Sequence, residues 1–368
     1  MGFSAVLLGV LLTWFLQGNV DYKEWYHVTE YINFLRDADK VMDAFYTHCH
    51  KAGPLRCGFY SATPDKIRER LDLLLARLRL HPVLVPSSLA EADVTIPELV
   101  TYSKVKRMLS TALYQPIYRF QRVASVLAAL ERGDGRPYHA YASLDQGDPI
   151  PFCSAETVPS NPGIEEDTPD TFPAVLCADA LPFNYTPETF QTYAIALQNM
   201  SVAAGAVQGS TRLSCAGRTV RPKWRFPGPY SANTSFPILF VNNIADNVTP
   251  LVSARNNSAG FPGSVVLVQN SYGHTSLAAA SSCTARWVRR YFREGILPGE
   301  GTVCEADGMP FGDAAFPAVP VSPNAREDQG LGRDRGVSRD NDGDSGNEVT
   351  MAVRKLSREA RWGMGFGL

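Results

Sequence analysis

The sequence predicts an α/β protein in which mainly helical segments precede a small set of core strands. Two apolar runs of strand length are the first observation, Pro237-Ile-Leu-Phe-Val-Asn-Asn243 and Ser264-Val-Val-Leu-Val-Gln-Asn270. Continuous apolar character over so few residues fits strands buried on both faces. Upstream, apolar residues recur at helical spacing over several stretches, which is the second observation. The third is what each strand delivers. The first run opens into Ile244-Ala-Asp-Asn-Val-Thr-Pro250 and the second into Ser271-Tyr-Gly-His274. An acid and then a histidine therefore stand on loops at the ends of rigid elements, where functional side chains are commonly held.

The elements follow in order. Residues 1–17 contain an apolar run from Gly2 to Leu16, shorter than the roughly 20 residues of a membrane-spanning helix but suited to the apolar region of a signal peptide. It lacks a basic start and a small-x-small cleavage site, so a remnant of a core element is the alternative. Between Val20 and Gly53, Tyr31, Phe34, Leu35, Ala38, Val41, Met42 and Phe45 have helical spacing, ended by Gly53-Pro54. Pro64 starts a second helix with an Ile67, Leu71, Leu74, Leu75, Leu78 stripe, closed by His81-Pro82. Ile96 to Leu113 and Ile117 to Leu130 repeat the pattern; such stripes are packing surfaces. From Ala140 to Pro173 the period vanishes into a long loop. Helix returns over Pro187 to Gly205, with Thr186 as N-cap and Glu188 in the first turn. Residues 312–368 form a tail, mostly disordered in composition between Asn324 and Asn347 and able to form a short helix over Val349 to Leu368.

Composition excludes several classes. The 368 residues are 45% hydrophobic and 20% charged, with a net charge of -2; that is ordinary for a globular chain and offers no field for nucleic acid. Zinc-finger spacings and phosphate-cradling glycine loops are absent from the sequence. His48-Cys49-His50 with Cys57 is a poor metal site, since adjacent residues on a helix face different ways. No cofactor is indicated.

Asp246-Asn-Val-Thr-Pro-Leu251, Gly273-His-Thr-Ser276, Ser282-Cys283, Tyr291-Phe-Arg-Glu-Gly-Ile-Leu-Pro298 and Gly301-Thr-Val-Cys304 resemble the C-terminal portion of secreted tripeptidyl-aminopeptidase-like serine peptidases. Gly18-Asn-Val-Asp21, Trp25, Asp39-Lys40, Cys49 and Ala52-Gly-Pro-Leu-Arg-Cys57 resemble the segment where those proteins leave the core sheet for a helical lid. The resemblance implies a partial α/β-hydrolase fold, with a lid over residues 18–230 and a TAP-like portion over residues 231–311. It implies a triad acid at Asp246 and a base at His274, in the chain order of that fold. The implied substrates are peptides, or related amides and esters, cleaved from a free amino end.

The nucleophile elbow, Gly-x-Ser-x-Gly, is missing from these 368 residues. Gly2-Phe-Ser-Ala-Val6 has half of it, and Gly343-Asp-Ser-Gly346 sits in the polar tail; neither Ser4 nor Ser345 is taken as nucleophile. The expectation is a truncated hydrolase that is inactive by itself, with a non-catalytic binding module or a gene relic as the alternative. Of seven cysteines, spacing and the resemblance pair Cys49 with Cys57, Cys177 with Cys215 and Cys283 with Cys304, leaving Cys153 over. Asn184, Asn199, Asn233, Asn247 and Asn256 head glycosylation sequons. With the disulfides they point to a secreted protein. Asn247 stands where relatives often carry proline. Asp179, in Cys-Ala-Asp-Ala, is read as a cap beside a disulfide, with a substrate contact as the alternative.

Overall fold

In a computed structural model, residues 15–27, 32–87, 97–146, 171–182 and 186–312 are described. In chain order they form β1 (Phe15–Gln17), α1 (Tyr22–His27), α2 (Ala38–Ala52), α3 (Pro64–Leu80), β2 (Val83–Val85), β3 (Glu98–Val100), α4 (Tyr102–Ala112), α5 (Pro116–Glu131), α6 (Arg136–Gln146), α7 (Thr171–Asp179), α8 (Pro187–Met200), α9 (Gly205–Leu213), β4 (Leu239–Ala245), α10 (Leu251–Ser258), β5 (Val265–Tyr272), α11 (Ser282–Glu294) and β6 (Val303–Glu305). Ser4, Cys153, Asn184 and the tail from 313 lie outside the described residues.

Four parallel strands make the main sheet in the order β1-β4-β5-β6. Along β4 the side chains alternate, as period two requires. Leu239 and Val241 pack with Leu267, Tyr291 and Cys304 on one face, while Phe240 joins Ile238 and Ala254 on the other. Both faces are covered, which explains why the first halves of β4 and β5 are apolar. The helical part has its own core. Phe45, Phe59, Ile67, Leu78, Phe120, Leu127 and Leu130 are buried there, and Phe311, beyond β6, joins them. The α/β class and the partial α/β-hydrolase layout expected from the sequence are what the structure shows.

Local chemistry sets the helix ends. Thr63 caps α3 by accepting from the Lys66 amide, with Pro64 in the first turn. Thr186 forms a capping box with Thr189 on α8. Three disulfides tie the frame: Cys49–Cys57 closes the turn after α2, Cys177–Cys215 joins α7 to the end of α9, and Cys283–Cys304 joins α11 to β6. With Cys49 and Cys57 bonded to each other, neither sulfur is available to a metal. No group of three or more His, Cys, Asp or Glu that could hold a metal ion occurs among the described residues, and no described helix is long and apolar enough to cross a membrane.

Several expectations need correction. The stretch from Val20 to Gly53 is α1, a short 3-10 turn at Asn33–Leu35 and α2, not one helix. Ile96 to Leu113 is not helical throughout: Glu98–Val100 pairs antiparallel with Val83–Val85, and helix starts only after the Thr101 cap. Helix α6 runs on to Gln146 into the expected loop, and α7 starts at Thr171 with Pro173 tolerated in its first turn. The helix expected over Pro187 to Gly205 stops at Met200 because Asp39 captures the next turn, accepting from Ser201 Oγ at 2.6 Å and from the amides of Val202 and Ala203. The apolar run at the start reaches the sheet, with Phe15–Gln17 paired to Leu239–Val241.

Candidate active site

The loops after β4 and β5 bring Asp246 and His274 together. Asp246 is fully buried, and both carboxylate oxygens lie 3.2 Å from His274 Nδ1. Oδ1 accepts from the Val248 and Thr249 amides at 3.0 and 2.9 Å, and Oδ2 from Thr249 Oγ1 at 2.7 Å and the Thr275 amide at 2.9 Å. The carboxylate does organise the turn before α10, yet the helix itself is capped by Pro250 without a side-chain bond. It therefore serves that turn and the histidine at once. Burial alone pushes the Asp246 carboxyl up, but the charge and hydrogen bond of His274, with the donors at Val248 and Thr249, outweigh it and hold the carboxyl below its usual range.

These donors fix the imidazole tautomer. Thr249 Oγ1 sits 3.0 Å from His274 Nδ1 while giving its own proton to Asp246. Both neighbours of Nδ1 can then only accept, so Nδ1 carries the proton. The ring stands edge-on to Tyr114 at 5.4 Å, and the His274 amide donates to the Tyr114 carbonyl at 2.9 Å. Helix α5 thereby braces the histidine, since Tyr114 immediately precedes the turn into it. On the sheet side lies Gly18, at the mouth of β1; a Cβ built there would come within 3.2 Å of His274 Cε1 and 3.6 Å of Nε2.

A buried polar platform beneath the histidine loop went unnoticed in the sequence. Asn243 Nδ2 donates to the carbonyls of Gly273 and Thr275, both at 2.7 Å, and its Oδ1 accepts from Ser271 Oγ at 2.7 Å. Gln269 Nε2 adds bonds to Ser271 Oγ, Ser276 O and Ala279 O. Asn242 reaches across to the Thr249 carbonyl at 3.0 Å and accepts from Asn19 Nδ2 at 3.3 Å. These residues close the apolar strand runs, and polar groups at buried strand ends are the signal that could have revealed them. The positive φ of 62° at Thr275 is held by the same bonds, and it aims the Thr275 amide at Asp246.

Other candidate residues fall elsewhere. Asn199, Asn233 and Asn256 are exposed. Asn247 is 1% exposed, so its side chain has no room for a glycan in this fold, and that assignment is withdrawn. His48 packs edge-on to Tyr272; burial first, and then the charge of Lys51, holds its imidazole below the usual range. Asp179 ends α7 and accepts from the Trp25 indole at 2.8 Å, more than the cap expected of it.

No curated protein matches the chain. Residues 200–304 match the family model described as TAP-like protein; this span carries Asp246, His274, strands β4 and β5 and the start of β6, and the match supports an α/β-hydrolase type of domain there.

Proposed function

We propose that Asp246 and His274 are the acid and base of an acyl-transfer hydrolase acting on short peptides, or related amides and esters, from a free amino end. A buried carboxylate whose two oxygens both lie 3.2 Å from a tautomer-fixed Nδ1 supports the assignment. His274 would take the nucleophile's proton on Nε2 and return it to the leaving group, while Asp246 stabilises the imidazolium. The nucleophile would be a serine on a strand-to-helix elbow brought beside Gly18, with backbone N–H groups around it forming the oxyanion hole. These 368 residues carry no such elbow, so the chain by itself does not turn over. The three disulfides favour a secreted protein, with Asn199, Asn233 and Asn256 as the accessible glycosylation sites.

The test is hydrolysis of amino-terminal tripeptide amides by a longer polypeptide that places a Gly-x-Ser-x-Gly strand and helix before residue 1. Turnover that His274→Ala and Asp246→Asn each reduce by about a thousandfold or more is expected. Full turnover in His274→Ala sinks the assignment. A non-catalytic binding module is the second reading, favoured by the outer edge of β1, which has no partner strand among the described residues.

A further inference from the structure

A cavity of about 620 Å³ opens beside the mouth of β1. It starts at Gln17, Gly18 and Asn19, and runs between α1 and the segment 226–234 to the end of α7. Its walls are largely aromatic and aliphatic: Tyr22, Trp25, Tyr26, Phe226, Tyr230 and Phe261 line it. Among the described residues lining it, Asp179 alone carries a formal charge.

The Asp179 carboxylate is neither buried in a structural pair nor fully spent on a cap. Oδ2 accepts from Trp25 Nε1 at 2.8 Å, and Oδ1 has no donor among the described residues. The nearby cation bonds backbone and not the carboxylate: Arg225 Nη1 is directed to the backbone carbonyls of Tyr26, at 2.9 Å, and Asp179, at 3.3 Å. Tyr26 stacks on Tyr230 with ring centroids 5.3 Å apart, and Phe226 stands edge-on to both. The negative charge reaches the first of these rings: burial first, then Asp179 and Tyr230, push the Tyr26 phenol above its usual range against the lowering effect of the Arg225 charge.

We infer that this cavity binds a protonated primary amine attached to an apolar group, the ammonium on Asp179 and the apolar body among Tyr26, Phe226 and Tyr230. One available carboxylate oxygen beside apolar walls selects a single positive charge through a charge-assisted hydrogen bond. Aromatic faces around it favour a cation further and reject an anion. The apolar walls supply the contact area for the organic part. A peptide's first residue presents this chemistry, and the cavity reaches toward the histidine, since Gly18 lines it and a Cβ built on Gly18 would come within 3.2 Å of His274 Cε1. That last step rests on the hydrolase assignment; the binding itself does not.

The experiment is calorimetric titration of the whole chain at neutral pH with 2-phenylethylamine, 2-phenylethanol and 3-phenylpropionate. These probes share the ring and differ in the charge of the head group. The amine binds about tenfold or more tighter than the alcohol, and the acid binds weakest. Asp179→Asn keeps an acceptor for the Trp25 indole, and it brings the amine down to the level of the alcohol without weakening the alcohol. Phe226→Ala weakens amine and alcohol alike. Equal affinity for amine and alcohol in the unaltered chain, binding of neither, or an amine preference that survives Asp179→Asn each overturns the inference. Because the titration needs no turnover, its failure leaves the hydrolase assignment standing, and failure of hydrolysis leaves the titration result intact.

Discussion

Replacing Gly18 by alanine probes how tightly the mouth of β1 packs on the histidine. Gly18 has a φ of +65°, and a Cβ there would lie 2.9 Å from Thr275 Cγ2 and 3.2 Å from His274 Cε1. Two costs add. A left-handed φ costs an alanine about 1 kcal/mol, and relieving the overlap costs a further ~1–3 kcal/mol, the range for overpacked sites. Thr275 cannot yield freely, because its amide is held by Asp246 Oδ2 at 2.9 Å and its carbonyl by Asn243 Nδ2 at 2.7 Å. The expected loss is therefore about 2–4 kcal/mol. Gly133 supplies the control. It ends α5 at φ +81° with nothing within 4 Å of a built Cβ, so alanine there meets only the backbone cost, about 1 kcal/mol. Urea denaturation of both variants, followed by tryptophan fluorescence, gives the two losses, and nuclear magnetic resonance of the His274 ring reports any displacement. Equal losses with an unmoved His274 resonance refute the packing of the end of β1 on His274.

Three further outcomes are expected. Asn243→Ala strips donors from two buried carbonyls, at Gly273 and Thr275, and costs about 2–5 kcal/mol in chemical denaturation; a loss under ~1 kcal/mol contradicts the platform. The Asp246 carboxyl is depressed in the folded state, so its contribution is complete above the unfolded-state value of about 3.9 and is lost as pH falls through the lower folded value. Thermal unfolding should thus show the stability gap between the unaltered chain and Asp246→Asn shrinking in acid, and a gap that widens contradicts the sign. Replacing Cys177 and Cys215 together by serine opens a link spanning 38 residues, with an expected loss of about 4 kcal/mol, and wild-type stability in this variant contradicts the role of the bond.

The strands were legible because buried parallel strands must be apolar, and Asp246 and His274 stood out as candidates because few residue types can serve as acid and base. Helices α3 and α5 were legible because their apolar stripes keep one helical period, and Pro64 marks the start of α3. What escaped depends on contacts distant in sequence. Val83–Val85 and Glu98–Val100 are three residues each and form a ladder only with one another, so neither carries a period long enough to read. The end of α8 is set by Asp39, whose partner Ser201 lies 162 positions away. Asn243 and Gln269 read as ordinary strand ends, and only the folded loops supply the carbonyls that give them work. Asn247 matched a sequon on composition alone, while burial decides whether such a side chain is reachable.

The central claim is that Asp246 and His274 power a serine's attack, and fluorophosphonate labelling tests it most directly. The 368-residue chain should remain unlabelled. A longer polypeptide with a Gly-x-Ser-x-Gly elbow ahead of it should label at the elbow serine and lose at least about a hundredfold in labelling rate on His274→Ala. Labelling of the 368-residue chain at any of its own serines, or labelling of the longer one undiminished by His274→Ala, contradicts the claim.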